Sequence, residues 1–319
     1  MTMIVGETNT DGSGSAANLT EDNGTVLDLT YFYSGSESDT DTLVSDDITI
    51  SETNYHYGRI SVSVTNTAQW NAQGLKEFYI DSYDNWPFDN YYPRLFISNF
   101  VDVHIDIASI GYNYAEAYTI TFAIYDAKRG DIDLSALNTD ISTYITIVPY
   151  SNGASWSNLF TITTGESVDS VTFTTEGSAY EAGTTKYTEF DVDLGAGDDT
   201  FTFDLDAAAS ASQTRYVDGG EGDDTLVLDS DSDILHFANF EYIENGSDDA
   251  EITLTLSQAL LENNSALTIT DLDIEFADDY SSITVTETDD DYYNVTVVYD
   301  DESYSFTTNE IDSDWILAS

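Results

Sequence analysis

Nine residues, Gly219-Gly220-Glu221-Gly222-Asp223-Asp224-Thr225-Leu226-Val227, are the part of this chain best fitted to chemistry. Glycines let the backbone turn through positive φ and face its carbonyl oxygens inward. Asp224 adds a carboxylate, and Leu226 starts a short strand that packs into a core. Oxygen atoms at about 2.3–2.6 Å, six or more of them, are what a hard divalent cation such as Ca2+ takes. A second stretch, Leu194-Gly195-Ala196-Gly197-Asp198-Asp199-Thr200-Phe201-Thr202, departs from the first pattern only at its opening position. A third, Thr164-Gly165-Glu166-Ser167-Val168-Asp169-Ser170-Val171-Thr172, keeps one glycine, the aspartate and the apolar residue.

The pattern G-G-x-G-x-D-x-(large apolar)-x resembles the calcium-binding nonapeptide of RTX, or hemolysin-type, bacterial secreted proteins. That resemblance implies Ca2+ held between stacked turns, with carbonyl oxygens from both turns and a carboxylate from one. Metal ligation is then expected at Gly195, Gly197, Asp199, Gly220, Gly222 and Asp224, with Asp169 a further candidate in the incomplete copy. Tandem RTX copies follow each other every nine residues. Here Gly165, Gly195 and Gly220 are 30 and 25 residues apart, so adjacent copies cannot face each other across a narrow roll. Successive wider coils of a parallel β-helix or β-roll are expected instead, with the Gly-Asp turns stacked at one corner around about two metal ions.

The similarity is strongest over residues 194–228. Upstream, 127–132 resembles a turn found in large bacterial surface proteins, and downstream 240–244 with 252–257 resembles the block that follows the repeats in adhesins and surface-layer proteins. Proteins of this kind leave the cell by type I secretion on an uncleaved C-terminal signal. Residues 312–319, acidic and then apolar, resemble such a signal and read equally well as a terminal strand packed on the domain.

The elements that must position these turns are strands. Val101, Val103, Ile105 and Ile107 alternate with Asp102, His104 and Asp106, the period of a half-buried strand. The same period recurs in Ile120, Phe122 and Ile124, in Ile252, Leu254 and Leu256, and in Val295 and Val297. Thr, Val, Ile, Tyr and Phe fill these segments, and Gly and Asp punctuate them. One short helix is expected at 257–263, capped by Ser257. The aromatic stretch 79–93, with Pro87 and Pro93, breaks the alternation and reads as a structured loop.

Composition limits the possible functions. Among 319 residues, 61 are Asp or Glu and 7 Lys or Arg, for a net charge of −54, which opposes compaction. With 23 Tyr, 15 Phe and 4 Trp the chain can nevertheless build a core, so bound cations or a salt-rich medium must offset the charge. Nucleic acid and anionic membrane surfaces are poor partners for such a polyanion. There is no Cys, hence neither disulfide nor thiolate site. No basic, apolar N-terminal leader is present and no 18-residue apolar run, so neither a secretory signal peptide nor membrane insertion is expected.

Catalytic patterns are missing from the sequence. His56, His104 and His236 share no zinc-protease spacing, and no G-x-S-x-G elbow occurs. The run 229–233 begins like an EF-hand loop but has Ile234 where that loop needs glycine. Arg129-Gly130-Asp131, a tripeptide recognised by animal cell receptors, is expected by chance in a chain this long, and the N-x-Ser/Thr sequons at Asn18, Asn23, Asn245, Asn263 and Asn294 in one so rich in Asn and Thr.

The chain divides into a flexible arm (1–24) and a β-rich region (25–110), then an RTX-like β-helix or β-roll (111–240) and a C-terminal β region (241–319). The functional expectation is a non-enzymatic, calcium-dependent extracellular protein of a bacterial surface, self-assembling as a homo-polymer into a surface layer, matrix fibre or similar polymer. Met3, Ile4 and Val5 are candidate assembly residues. The alternative is a calcium-stabilised adhesin or carbohydrate-binding module for surface glycans, using the Tyr-rich segment 79–93. A third reading is an acidic surface protein that needs salt and not calcium.

Overall fold

The computed structural model describes residues 118–312, apart from short stretches at 138–140, 151–156, 177–184, 232–234, 248–250 and 289–291 and the single residues 207, 209 and 211. It also describes Trp315 and the strands that precede residue 118. The architecture is almost wholly β, a parallel β-solenoid of about five turns, as the wide spacing of the Gly-Asp segments predicts.

Two sheets form the walls. One has nine strands, in the order β1 (Thr2–Ile4), β2 (Val26–Leu29), β6 (Glu77–Ser82), β8 (Asp102–Ile107), β10 (Arg129–Asp133), β12 (Asn158–Thr163), β14 (Thr188–Asp193), β16 (Arg215–Asp218) and β18 (His236–Ala238). The other has fourteen. It begins with β3 (Thr42–Val44), β4 (Ile48–Glu52), β5 (Ser61–Asn66), β7 (Arg94–Ser98) and β9 (Tyr118–Ala127). It continues through β11 (Ile141–Pro149), β13 (Ser170–Thr174), β15 (Thr200–Asp204), β17 (Thr225–Leu228), β19 (Tyr242–Asn245) and β21 (Thr268–Thr270), and ends with β25 (Glu302–Thr308), β24 (Tyr293–Tyr299) and β23 (Ser282–Glu287).

From β6 to β19 the strands alternate between the two walls, so neighbours in each sheet there are parallel and one coil apart. The pairing runs without a break from β5 through β7, β9 and β11 to β21. Neither residue 110 nor residue 240 marks an interruption of the sheets. Thr2, Met3 and Ile4 pair with Val26, Leu27 and Asp28 of the same chain at the end of the smaller sheet. Val5, and most of the segments 1–24 and 79–93, lie outside the described residues.

Alternation decides which face each strand buries. In β14 the residues Thr188, Phe190 and Val192 point inward, and in β15 Phe201 and Phe203 do. Phenylalanines from both walls meet between the sheets: Phe173 stacks on Phe190 at 4.5 Å between ring centroids, and Phe190 meets Phe201 at 5.5 Å. Parallel sheets usually bury both faces. Here one face of each packs on the shared core and the other carries Thr, Asp and Glu outward.

At the corner between 185–188 and 204–206 the fully buried Arg215 holds the turn together. Its Nε donates to the Thr188 carbonyl oxygen at 2.9 Å, Nη1 to Asp206 O at 2.9 Å and Nη2 to Thr185 O at 3.2 Å. Beyond β19 the coil takes in a two-stranded sheet, β20 (Thr253–Leu256) with β22 (Asp273–Phe276), and α1 (Gln258–Asn263). Ser257 caps α1 as expected, accepting from the Leu260 N–H. Strands β24 and β25 then turn antiparallel and close the end. Trp315, 5 % exposed, packs on Phe276 at 5.4 Å.

Candidate metal centre

The three Gly-Asp segments fall where the chain leaves the smaller sheet and enters the larger one. The pairings Ser170 with Thr200 and Thr200 with Thr225 align the residues just before them, so Asp169, Asp199 and Asp224 stand in one rank. Turn rests on turn through the main chain. Ala196 N–H donates to Gly165 O at 3.1 Å, Glu221 N–H to Gly195 O at 2.9 Å, and Gly197 N–H to Glu221 O at 2.8 Å.

The glycines follow from this contact. Gly195, Gly197, Gly220 and Gly222 have φ of 86°, 136°, 93° and 152°, values that side-chain-bearing residues rarely adopt. A Cβ on Gly220 would collide with the Gly195 carbonyl oxygen, and one on Gly222 with that of Gly197. Close approach of one corner to the next therefore lines the stack with backbone oxygens.

The rank of acids is longer than the motif. Tyr144 pairs with Ser170 and Thr225 with Tyr242, which places Thr143 before Asp169 and Glu241 after Asp224. Hydrogen bonds link each member to the next. Thr143 N–H and Oγ1 donate to Asp169 Oδ1 at 2.6 and 2.9 Å, and Asp169 N–H to Asp199 Oδ1 at 2.6 Å. Asp199 N–H donates to Asp224 Oδ1 at 2.8 Å, and Asp224 N–H to Glu241 Oε2 at 2.8 Å. Leu267, level with Glu241, ends the row on an apolar residue.

The second oxygens separate the complete turns from the incomplete one. Asp169 Oδ2 accepts from Gly165 N–H at 3.0 Å, so both its oxygens are used. In the complete turns the matching glycine N–H is diverted, from Gly195 to Asp193 Oδ1 at 3.1 Å and from Gly220 to Asp218 Oδ1 at 3.2 Å. Asp199 Oδ2 and Asp224 Oδ2 are left buried without a hydrogen-bond partner, in side chains 1 % and 0 % exposed.

Such an arrangement is costly for anions alone. Strands lie about 4.8 Å apart, and two ionised carboxylates at that distance repel by about 3.5 kcal/mol at an effective dielectric of 20. Burial accordingly pushes Asp199 up to about 8, against the lowering effect of the Asp169 N–H and with a further rise from the charges of Asp169 and Asp224. Asp224 is pushed up to about 6, again chiefly by burial, against the lowering effect of the Asp199 N–H and with Glu241 the strongest of the like charges that raise it. Asp169 is raised by burial and held back by its bonds to Thr143 and Gly165.

A cation suits these residues: it would satisfy two orphaned carboxylate oxygens, lower the repulsion along the row and draw on the carbonyls crowded at the corner. Among the described residues no three His, Cys, Asp or Glu side chains converge on one point. The acids form a row, and any metal here depends on main-chain oxygen as well.

Of the residues singled out in the sequence, the structure brings Gly195, Gly197, Asp199, Gly220, Gly222 and Asp224 together with Asp169 at one corner. It adds Thr143 and Glu241, which no motif marks. The chain matches no protein-family model, no curated protein and no solved structure.

Proposed function

We propose that this protein is a calcium-folded structural solenoid of a bacterial cell surface, exported as a loosely ordered polyanion and made rigid by Ca2+ outside the cell. One observation carries the reading: Asp199 and Asp224 each bury a carboxylate oxygen that no described residue satisfies, one coil apart, in a chain of net charge −54. The RTX-like pattern of the same turns supports calcium over other divalent ions. A cation present at about 100 times its Kd adds about 2.7 kcal/mol per site to the folded state, enough to decide folding where the total is about 5–15 kcal/mol.

Asp199 and Asp224 would hold the ions, with carbonyl oxygens of the stacked glycine turns. The coil then serves as a building block of a surface layer, a matrix fibre or similar polymer. Circular dichroism and light scattering during a calcium titration test this. Wild type is expected to gain β-structure and particle size, and the Asp199→Ala, Asp224→Ala double variant to gain neither. A wild-type protein equally folded in chelator and in calcium would refute the reading.

Glycan binding is a second reading, favoured by one surface. Tyr144 and Tyr242, 53 % and 40 % exposed, stand in the same outward rank of the larger sheet with Ser170, Thr200 and Thr225 between them. Exposed rings flanking a row of hydroxyls suit a sugar chain lying across the strands. Loss of glycan-array signal in a Tyr144→Ala, Tyr242→Ala variant tests it, and an array silent with wild type removes it.

A further inference from the structure

The last Gly-Asp turn differs from the one before it. The pairing of Asp193 with Asp218 and of Asp218 with Ala238 places Leu194, Gly219 and Asn239 in one rank. Leu194 is fully buried in the core, whereas Gly219 has no side chain. A Cβ on Gly219 would collide with the Asn239 carbonyl oxygen and lie 2.8 Å from Asp224 Oδ2. Both oxygens therefore border one spot beside Gly219.

Asn239 is held for this. Its φ is 57°, uncommon for a residue with a side chain, and it is fixed by its N–H to Asn263 O at 3.1 Å and its Nδ2 to Asp218 Oδ1 at 2.6 Å. Asp224 Oδ2 is fully buried and unpartnered. Two residues beyond Asn239, Glu241 brings a second carboxylate against Asp224, its Oε2 on the Asp224 N–H.

We propose that Asp224, Glu241 and the Asn239 carbonyl form a divalent-cation site of the calcium class at the end of the acidic row. Two of its three protein ligands lie outside the repeated Gly-Asp pattern. The ligands are all oxygen and two are anionic, which selects a hard cation, and water fills the remaining positions. The inference rests on the calcium reading above for the identity of the ion, but assigns the site to residues of the following coil. Leu194 has filled the matching space one coil earlier, so the site is not repeated there.

The test is calorimetric Ca2+ titration of the full chain after chelator treatment, comparing wild type with Glu241→Gln. Glutamine keeps an oxygen for the Asp224 N–H, so the circular dichroism spectrum at saturating Ca2+ is expected to match wild type. One equivalent of Ca2+ should be lost, or one class of site weakened by about tenfold or more. Adding Asp199→Asn should remove a different equivalent. Should the glutamine variant fail to fold, Glu241→Asp keeps the charge with a shorter reach and is expected to weaken the same site. Unchanged stoichiometry and affinity in a folded Glu241 variant would overturn the site while leaving the calcium reading intact. A wild type that takes up no Ca2+ overturns both.

Discussion

Asp199 lies one coil from Asp224 and donates its N–H to Asp224 Oδ1 at 2.8 Å, while the Oδ2 atoms of both remain buried and unpartnered. The backbone thus makes each aspartate an acceptor for its neighbour and leaves each with one oxygen to spare. Four carboxylates, from Asp169 to Glu241, stand in that row, and the middle two carry the unpartnered oxygens.

Charge removal at Asp199 should act in opposite directions with and without calcium. Asp199→Asn keeps an oxygen for the Asp169 N–H and relieves the repulsion from both neighbours. In chelator the variant is expected to melt above wild type, and in millimolar calcium below it. Differential scanning calorimetry in the two buffers decides this.

Asp169 should behave differently. Both its oxygens accept hydrogen bonds within the protein, and an asparagine would turn an NH2 group toward either Thr143 or Gly165. Asp169→Asn is expected to cost about 1–2 kcal/mol by a similar amount with and without calcium, measured by urea unfolding.

The pH dependence of the metal-free protein follows from the raised carboxyls. Asp199 at about 8 and Asp224 at about 6 stand above the usual unfolded value of about 3.9. Between those limits the folded chain holds more protons than the unfolded one, so stability is greatest at the acid end and is lost as pH rises toward 8. In chelator the melting temperature should fall steadily from pH 5 to pH 8.5. Excess calcium, which competes with those protons, should flatten or reverse that slope.

At the corners, Gly222→Ala places a Cβ against the Gly197 carbonyl oxygen at φ 152°. A loss of at least about 2 kcal/mol is expected, with calcium affinity reduced because the two turns are forced apart. Chemical denaturation and calorimetry on the same sample measure both effects.

Arg215→Lys offers a control away from the acids. Lysine cannot reach the carbonyls of Thr188, Asp206 and Thr185 together, and a loss of about 2–4 kcal/mol is expected. The number of calcium ions bound at saturation should not change.

Much of this was legible in the sequence. The intervals between Gly165, Gly195 and Gly220 require wide parallel coils, and the alternation at 102–107 and 252–256 marks strands with one buried face. The direction of the last strands was not legible, because Val295 and Val297 alternate with the same period of two whether a neighbour is parallel or antiparallel. Glu241 was hidden for another reason. Successive members of its row are 26, 30, 25 and 17 residues apart, so no fixed repeat reaches it, and only the register of β19 on β17 places it. The contrast between Asp169 and its two successors was likewise invisible: it depends on where the N–H groups of Gly165, Gly195 and Gly220 point.

The larger sheet reverses its strand direction at both extremities, between β3, β4 and β5 at one and among β23, β24 and β25 at the other. Only β4 and β24 are reversed, so the outermost strands β3 and β23 run again in the sense of the coils. At each extremity that wall is hemmed by a fold-back, and what it offers a neighbour there is the free edge of an antiparallel pair and not the edge of a coil.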